Sequence, residues 1–394
     1  MVKTGLDVLL ERLPQALQGK ALGVLCHAAS VTGRLTHILD ELAGRKDCRL
    51  AAVFGPQHGL FGQTQDNMIE WEGGQRHPKY GVPVYSLYGK SRKPTPAMLA
   101  GLDALVVDLQ DVGARPYTYV WTVKLCLEAC AGMGIPLWVL DRPNPIAGLA
   151  LDGPMLRKEY FSFVGGACIP LCHRMTLAEM ANLLRDSYAP GAELHCVAMD
   201  GWWRNSLWTE TGLPWVLPSP NMPTPETALV YPGMVLLEAT NLSEGRGTTR
   251  PFEIFGAPYL DSTAFPIAVP CEALRGCMLR EHGFIPTFNK WKGESCTGWQ
   301  IHVTDPRAFR PVTTAAGLLA AALATAREGF AWKEPPYEYE TRKMPIDILA
   351  GSDELRKALA AGTPLAQMLE SWQPGWEGFA EVLDGVSLYP EQQP

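Results

Sequence analysis

Three short polar segments carry the side chains most able to do chemistry, and each follows an apolar run. Arg49-Leu50-Ala51-Ala52-Val53 leads into Phe54-Gly55-Pro56-Gln57-His58-Gly59-Leu60-Phe61-Gly62. Ala104-Leu105-Val106-Val107 leads into Asp108-Leu109-Gln110-Asp111-Val112-Gly113-Ala114-Arg115. Ile135-Pro136-Leu137-Trp138-Val139-Leu140 leads into Asp141-Arg142-Pro143-Asn144-Pro145. In an open parallel α/β sheet, loops at the carboxyl ends of strands form the ligand crevice. The three segments are therefore expected to deliver His, Asp, Arg and Asn to one edge of one sheet.

Each residue type suggests a role. Asp108 and Asp111 suit general acid/base work or the binding of sugar hydroxyls; the plainer reading of Asp111 is a helix cap or a partner for Arg115. The guanidinium fork of Arg115 suits a carboxylate. Tyr117 and Tyr119 offer amphipathic sugar platforms, against a plainer reading as core aromatics. Prolines on both sides of Asn144 stiffen its loop, so that Asp141, Arg142 and Asn144 could hold a ligand in fixed geometry. The alternative is an Asp–Arg pair that only fixes the turn. His58 and His173 lie in loops, and His58 is the better acid/base candidate because its loop ends a strand. Further on, loops 218–224 and 241–249 are dense in hydrogen-bonding groups, including Asn221, Glu244 and Arg246.

The elements that would position these residues alternate. Strands are expected over 21–26, 50–54, 104–107, 137–140 and 195–199, with helices over 36–42, 96–102, 122–132 and 176–187. That alternation predicts βαβ units around a parallel sheet. Thr176 and Glu179 have capping-box spacing. From about residue 249 the chain reads as a smaller α+β unit, with a strand over 300–303 and helices over 313–328, 352–361 and 364–372. The expected class is α/β: a Rossmann-like domain over 1–240 carrying the site, and an auxiliary α+β domain over 241–394 closing a cleft.

Bulk properties narrow the function. A length of 394 residues fits two domains. A net charge of −7 argues against a nucleic-acid surface and gives no reason for attachment to an anionic membrane. The apolar run over 315–326 is too short for the roughly 20 residues that span a bilayer. The first residues lack the pattern of a signal peptide, so a cytoplasmic location is expected. Ten cysteines without a CxxC pair are expected to be mostly small buried hydrophobes, with no disulfide and no zinc site. GxGxxG after the first strand, Walker A, HExxH and GxSxG are all absent, which lowers the odds of a nucleotide-dependent enzyme, a zincin or a serine hydrolase with a nucleophile elbow.

Phe54–Gly62, Val84-Tyr85-Ser86-Leu87-Tyr88-Gly89, and the segments 108–119, 140–145, 218–224 and 241–249 together resemble the DUF1343 family. That family includes exo-β-N-acetylmuramidases of the NamZ type, and the resemblance runs from about Gly5 to the C-terminus. It implies a Rossmann-like catalytic domain, an auxiliary domain, and release of N-acetylmuramic acid from the non-reducing end of peptidoglycan fragments. It implies a small-molecule or oligosaccharide substrate and, since such hydrolysis needs only carboxylates and water, no cofactor. A cytoplasmic location would favour recycling of imported fragments. The oligomeric state is left open.

The chain departs from the family where the proposed acid stands. The family loop reads Pro-Glu-His-Gly; here the matching residue is Gln57, and a carboxamide cannot donate a proton as a carboxylic acid does. The family's Asn-His pair after the first strand is His27-Ala28 here. Either the chemistry is lost or another carboxylate supplies it. Candidates are Glu70 or Glu72 (with Asp66 in the same segment), raised in pKa by an apolar pocket against Trp71, or Asp108 or Asp111. Gln57 then becomes a substrate-amide or water-positioning residue, and Arg115 or Arg142 a grip for the lactyl carboxylate. The alternatives are a non-catalytic carbohydrate-binding protein and a hydrolase of another carboxylated sugar derivative.

Overall fold

The computed structural model describes residues 1–62, 64–65, 69–326 and 328–392. Apolar runs with both faces buried are suited to a parallel sheet covered on both sides. Such runs form β1 (Ala21–Cys26), β2 (Arg49–Gly55), β4 (Ala104–Asp108) and β5 (Leu137–Leu140), while the edge strands β3 (Val84–Ser86) and β6 (Leu194–Val197) are largely half-buried. They pair in the order β3-β2-β1-β4-β5-β6, all parallel. The order reverses between β1 and β4, so the crevice outside their carboxyl ends is the expected ligand position.

The helices, in chain order, are α1 (Gly5–Glu11), α2 (Ile38–Ala43), α3 (Pro96–Leu99), α4 (Tyr119–Met133), α5 (Leu177–Tyr188), α6 (Trp208–Thr211), α7 (Pro225–Met234), α8 (Ala264–Ala268), α9 (Pro311–Thr325), α10 (Pro345–Ala350), α11 (Glu354–Ala360) and α12 (Leu365–Val386). The expected capping box opens α5: Glu179 N donates to Thr176 Oγ1 at 3.3 Å, and Thr176 N to Glu179 Oε2 at 2.9 Å. The helix expected over 364–372 runs on to Val386, although Pro374 lies inside it, because Trp372, Phe379 and Leu383 keep burying one face. Among the described residues, no helix is long and apolar enough to cross a membrane.

A second, antiparallel sheet of order β7-β9-β8 is built from β7 (Ile254–Ala257), β8 (Cys277–Glu281) and β9 (Thr297–Val303). Of these, only part of β9 was expected. Its helices pack onto the first half of the chain through one continuous core that includes Leu105, Val139, Leu177, Leu237, Phe255 and Leu318. Asp152 crosses the junction to cap α9, accepting from Val312 N at 2.7 Å and Thr313 N at 3.1 Å. At Gly233 in α7, a Cβ would lie 1.9 Å from the carbonyl oxygen of Pro311. Gly233→Ala is therefore expected to push α7 from α9 and cost about 1–3 kcal/mol by overpacking. Thermal or urea unfolding would read this as a lowered midpoint.

Candidate functional site

The loop after β2 and the amino end of α4 face each other across a cavity of about 490 Å3. Gln57 and His58 come from the first, Tyr117, Thr118 and Tyr119 from the second. The second half of the chain closes the space with Glu238, Arg246, Phe252, Tyr337 and Glu338, and loop 218–222 adds Ser219 and Asn221. The pocket therefore lies at the carboxyl edge of the parallel sheet, with its far wall supplied by the auxiliary unit.

Gln57 is only 5% exposed. Its Oε1 accepts from Thr118 Oγ1 at 2.6 Å, which turns the amide NH2 toward the cavity. His58 has a left-handed backbone at φ 67, a strained state for a non-glycine residue. Its Nδ1 lies 2.7 Å from the carbonyl oxygen of Thr64. A carbonyl can only accept, so Nδ1 holds the proton and Nε2 is the acceptor. Burial pushes the His58 pKa down to about 4, leaving the ring neutral at ordinary pH.

The charged wall is a buried quartet. Arg246 binds Glu238 at 2.7 Å and Glu244 at 3.3 Å, and Lys290 binds Glu244 at 2.8 Å. Tyr337 Oη also donates to Glu238 Oε2 at 2.7 Å. Burial works against the Glu238 charge, but Arg246 outweighs it and holds the pKa below the usual carboxylate value. Glu338 has the opposite fate. Burial first, and the Glu238 charge second, push its pKa up to about 7. Its Oε2 accepts from Tyr88 Oη at 3.2 Å, and its backbone is left-handed at φ 42. Paired carboxyls driven apart in pKa are the pattern of an acid beside a fixed anion.

Six of the residues singled out in the sequence, Gln57, His58, Tyr117, Tyr119, Asn221 and Arg246, line this pocket. Glu244 stands behind Arg246 as its partner. Asp111 lies behind the tyrosines: Gly113 N donates to its Oδ2 at 2.7 Å, its Oδ1 is buried with no hydrogen-bond partner among the described residues, and burial raises its pKa to about 7.

The remaining candidates are structural. Arg142 pairs at 2.5 Å with buried Asp108 at the end of β4, so the Asp–Arg pair forms between two strand ends and not within the 141–145 turn. Asp141 accepts from Ala178 N at 3.0 Å and Tyr389 Oη at 2.6 Å. Asn144 bonds Met175 O and Ile146 N, and a Cβ on Gly113 would meet Asn144 Oδ1 at 2.2 Å. His173 Nδ1 accepts from Met175 N at 3.2 Å, and burial holds its pKa near 3. Arg115 grips no carboxylate. Its guanidinium donates to the carbonyls of Pro154, Ile169 and Leu349 and so ties the two halves together.

Glu70 and Glu72 are exposed. Trp71 turns inward instead, its Nε1 donating to Pro56 O at 2.9 Å, which sends its two neighbours outward. Glu70 there pairs with Arg92 at 3.1 Å. Asp66 lies outside the described residues. The sequence reading missed Glu238 and Glu338. The available signal for Glu338 was the aromatic–acidic run Tyr337-Glu338-Tyr339-Glu340 after two prolines.

A larger cleft of about 810 Å3, lined by Trp208, Leu229, Ile301 and Val303, is mainly apolar. Its one buried carboxylate, Glu253, is committed to Thr227, Thr224 and Arg250. It lacks the divided acid pair of the first pocket.

Fold and site together define a doubly wound α/β protein whose ligand pocket is closed by an auxiliary α+β unit. The chain belongs to the NamZ family: the N-terminal model of exo-β-N-acetylmuramidase NamZ matches residues 22–226, and the C-terminal model residues 229–389. It is 41% identical over 389 residues to the peptidoglycan β-N-acetylmuramidase NamZ of Bacillus subtilis (strain 168), covering 98% of this chain and 91% of that one. Crystal structures of two DUF1343 family proteins from Bacteroides fragilis NCTC 9343 are similar. The first has a TM-score of 0.88 at 30% identity, covering 98% of this chain and 99% of that one. The second has a TM-score of 0.77 at 26% identity, covering both chains fully.

Proposed function

We propose that this protein is a glycoside hydrolase of the exo-β-N-acetylmuramidase type, releasing N-acetylmuramic acid or a related amino sugar from peptidoglycan fragments. The observation that carries the reading is Glu338, a pocket carboxyl that keeps its proton to about pH 7 beside the anionic Glu238.

In this reading Glu338 gives its proton to the glycosidic oxygen as the anomeric C–O bond breaks. Water takes the place of the leaving group, and its proton passes to His58 Nε2. Glu238 stabilises the positive charge that develops on the ring. Chemistry has thus moved from the position of Gln57 to the opposite wall. Ten free cysteines fit a reducing compartment, which supports cytoplasmic recycling of imported fragments.

A second reading, a non-catalytic sugar binder, is favoured by Gln57 alone. Turnover of a chromogenic β-N-acetylmuramide, with the N-acetylglucosaminide as control, separates them. Release from the muramide is expected. No release, with thermal stabilisation by free N-acetylmuramic acid, would support the binder and sink the hydrolase.

A further inference from the structure

Two adjacent residues of the far wall have opposite fates. Tyr337 and Glu340 exchange backbone hydrogen bonds of 2.9 Å, so Glu338 and Tyr339 form the centre of a two-residue turn. Both have a left-handed backbone, at φ 42 and φ 69. Asparagine and glycine ordinarily fill such positions. A glutamate and a tyrosine there store strain, and backbone strain of this kind clusters at functional sites. The turn takes Glu338 inward, 3% exposed, and leaves Tyr339 at the rim, 43% exposed.

Tyr339 is clamped at that rim. The Arg92 guanidinium lies 3.4 Å from its ring centre. Tyr339 Oη donates to Glu70 Oε1 at 3.3 Å, and Arg92 donates to the same oxygen at 3.1 Å. Phe163 and Tyr88 meet the ring at steep angles, with centres 6.3 and 6.2 Å away. Phe163 precedes Val164, which lines the pocket together with Glu338. The cluster therefore borders the pocket on the side of the acid.

We infer that Tyr339, backed by Arg92 and flanked by Phe163, is the platform for the first sugar on the leaving-group side of the scissile bond. The inference rests on the hydrolase reading and assigns the preference for the group released, not for the sugar held inside. Exo cleavage keeps the terminal sugar within the cavity, so the rest of the substrate must pass the rim. Glu338 must reach the oxygen joining the two sugars, and Tyr339 is the next residue in the chain. A pyranose ring presents a face of C–H groups, which suits an aromatic ring with a polar tip. A ring clamped before binding has little freedom left to lose. A lone exposed tyrosine would mean little; this one is held beside the acid by a strained turn, a guanidinium and a hydrogen bond.

The test compares two substrates with the same terminal sugar. One is the disaccharide of N-acetylmuramic acid linked β to N-acetylglucosamine, the other the methyl β-glycoside of N-acetylmuramic acid. Both leaving groups are alkoxides that need a proton from Glu338, but only the first brings a ring to Tyr339. Tyr339→Ala should lower kcat/KM on the disaccharide by about 10-fold, mainly through KM, and on the methyl glycoside by less than about 3-fold. Tyr339→Phe keeps the ring and should stay within about 3-fold of the wild type on both. Equal losses on the two substrates in Tyr339→Ala would overturn the platform and leave the hydrolase reading standing, since the change would then have acted through Glu338. No loss on either would overturn it as well. Failure of the wild type to cleave either substrate would bring down both readings.

Discussion

Glu338→Gln should lower kcat on a β-N-acetylmuramide by about 100- to 10,000-fold, the usual worth of a positioned general acid, with little change in KM. The amide is nearly the same shape, and its carbonyl can still accept from Tyr88 Oη, which lies 3.2 Å from Glu338 Oε2. Folding should therefore survive, and the loss would report the missing proton. The pH profile gives an independent reading. A general acid works only while protonated. The Glu338 pKa is raised to about 7 by burial first and by Glu238 second. Activity should therefore hold below pH 7 and fall as pH rises through that value. The His58 pKa near 4 places loss of the neutral ring well below it, so the two limbs should be widely separated. In Glu338→Gln the alkaline limb should vanish from the residual rate. An unchanged kcat, or an alkaline limb that persists, would move the acid elsewhere, with Asp111 next in line because burial raises it to a similar value.

The fold was readable because its signals are local. Five of the six parallel strands announce themselves as apolar runs; β3, three residues long, gives too short a pattern to see. The end of α12 was hidden for a different reason. Pro374 and Gly375 read as helix breakers, and only tertiary burial of Phe379 and Leu383 overrides them. The site was partly readable, since strand order in a parallel sheet fixes which loops share an edge. Gln57, His58 and Tyr117 come from such loops and do share the pocket. Strand order does not fix which strand-end charges face the crevice and which face each other. Asp108, Arg142 and Asp141 lie at strand ends as expected but are spent within the scaffold. The acid itself comes from a segment 281 residues after Gln57, counting from 57 to 338. Its burial and its neighbour Glu238 exist only after the two halves pack, so no local spacing could reveal its raised pKa.

The buried pair of Asp108 and Arg142 gives the second large effect. Arg142→Met should destabilise the fold by about 3–5 kcal/mol. Asp108 has no exposed surface, and both its oxygens are held by Arg142, at 2.5 Å from Nε and 2.8 Å from the terminal nitrogen. The same guanidinium donates to Val31 O at 2.7 Å, linking the loop after β1 to those after β4 and β5. Removing the cation leaves a buried anion without compensation, and that penalty, not the net worth of the pair, sets the size of the effect. The double variant Asp108→Asn with Arg142→Met removes the stranded charge and should recover a large part of the loss. Urea unfolding of the wild type, the single and the double variant would show this as non-additive midpoints. A catalytic Asp108 would behave in the opposite way: Asp108→Asn would abolish turnover in a protein of nearly normal stability. The geometry favours the first outcome, because Asp108 is fully buried, one guanidinium bridges both its oxygens, and it does not line the pocket that holds Glu338.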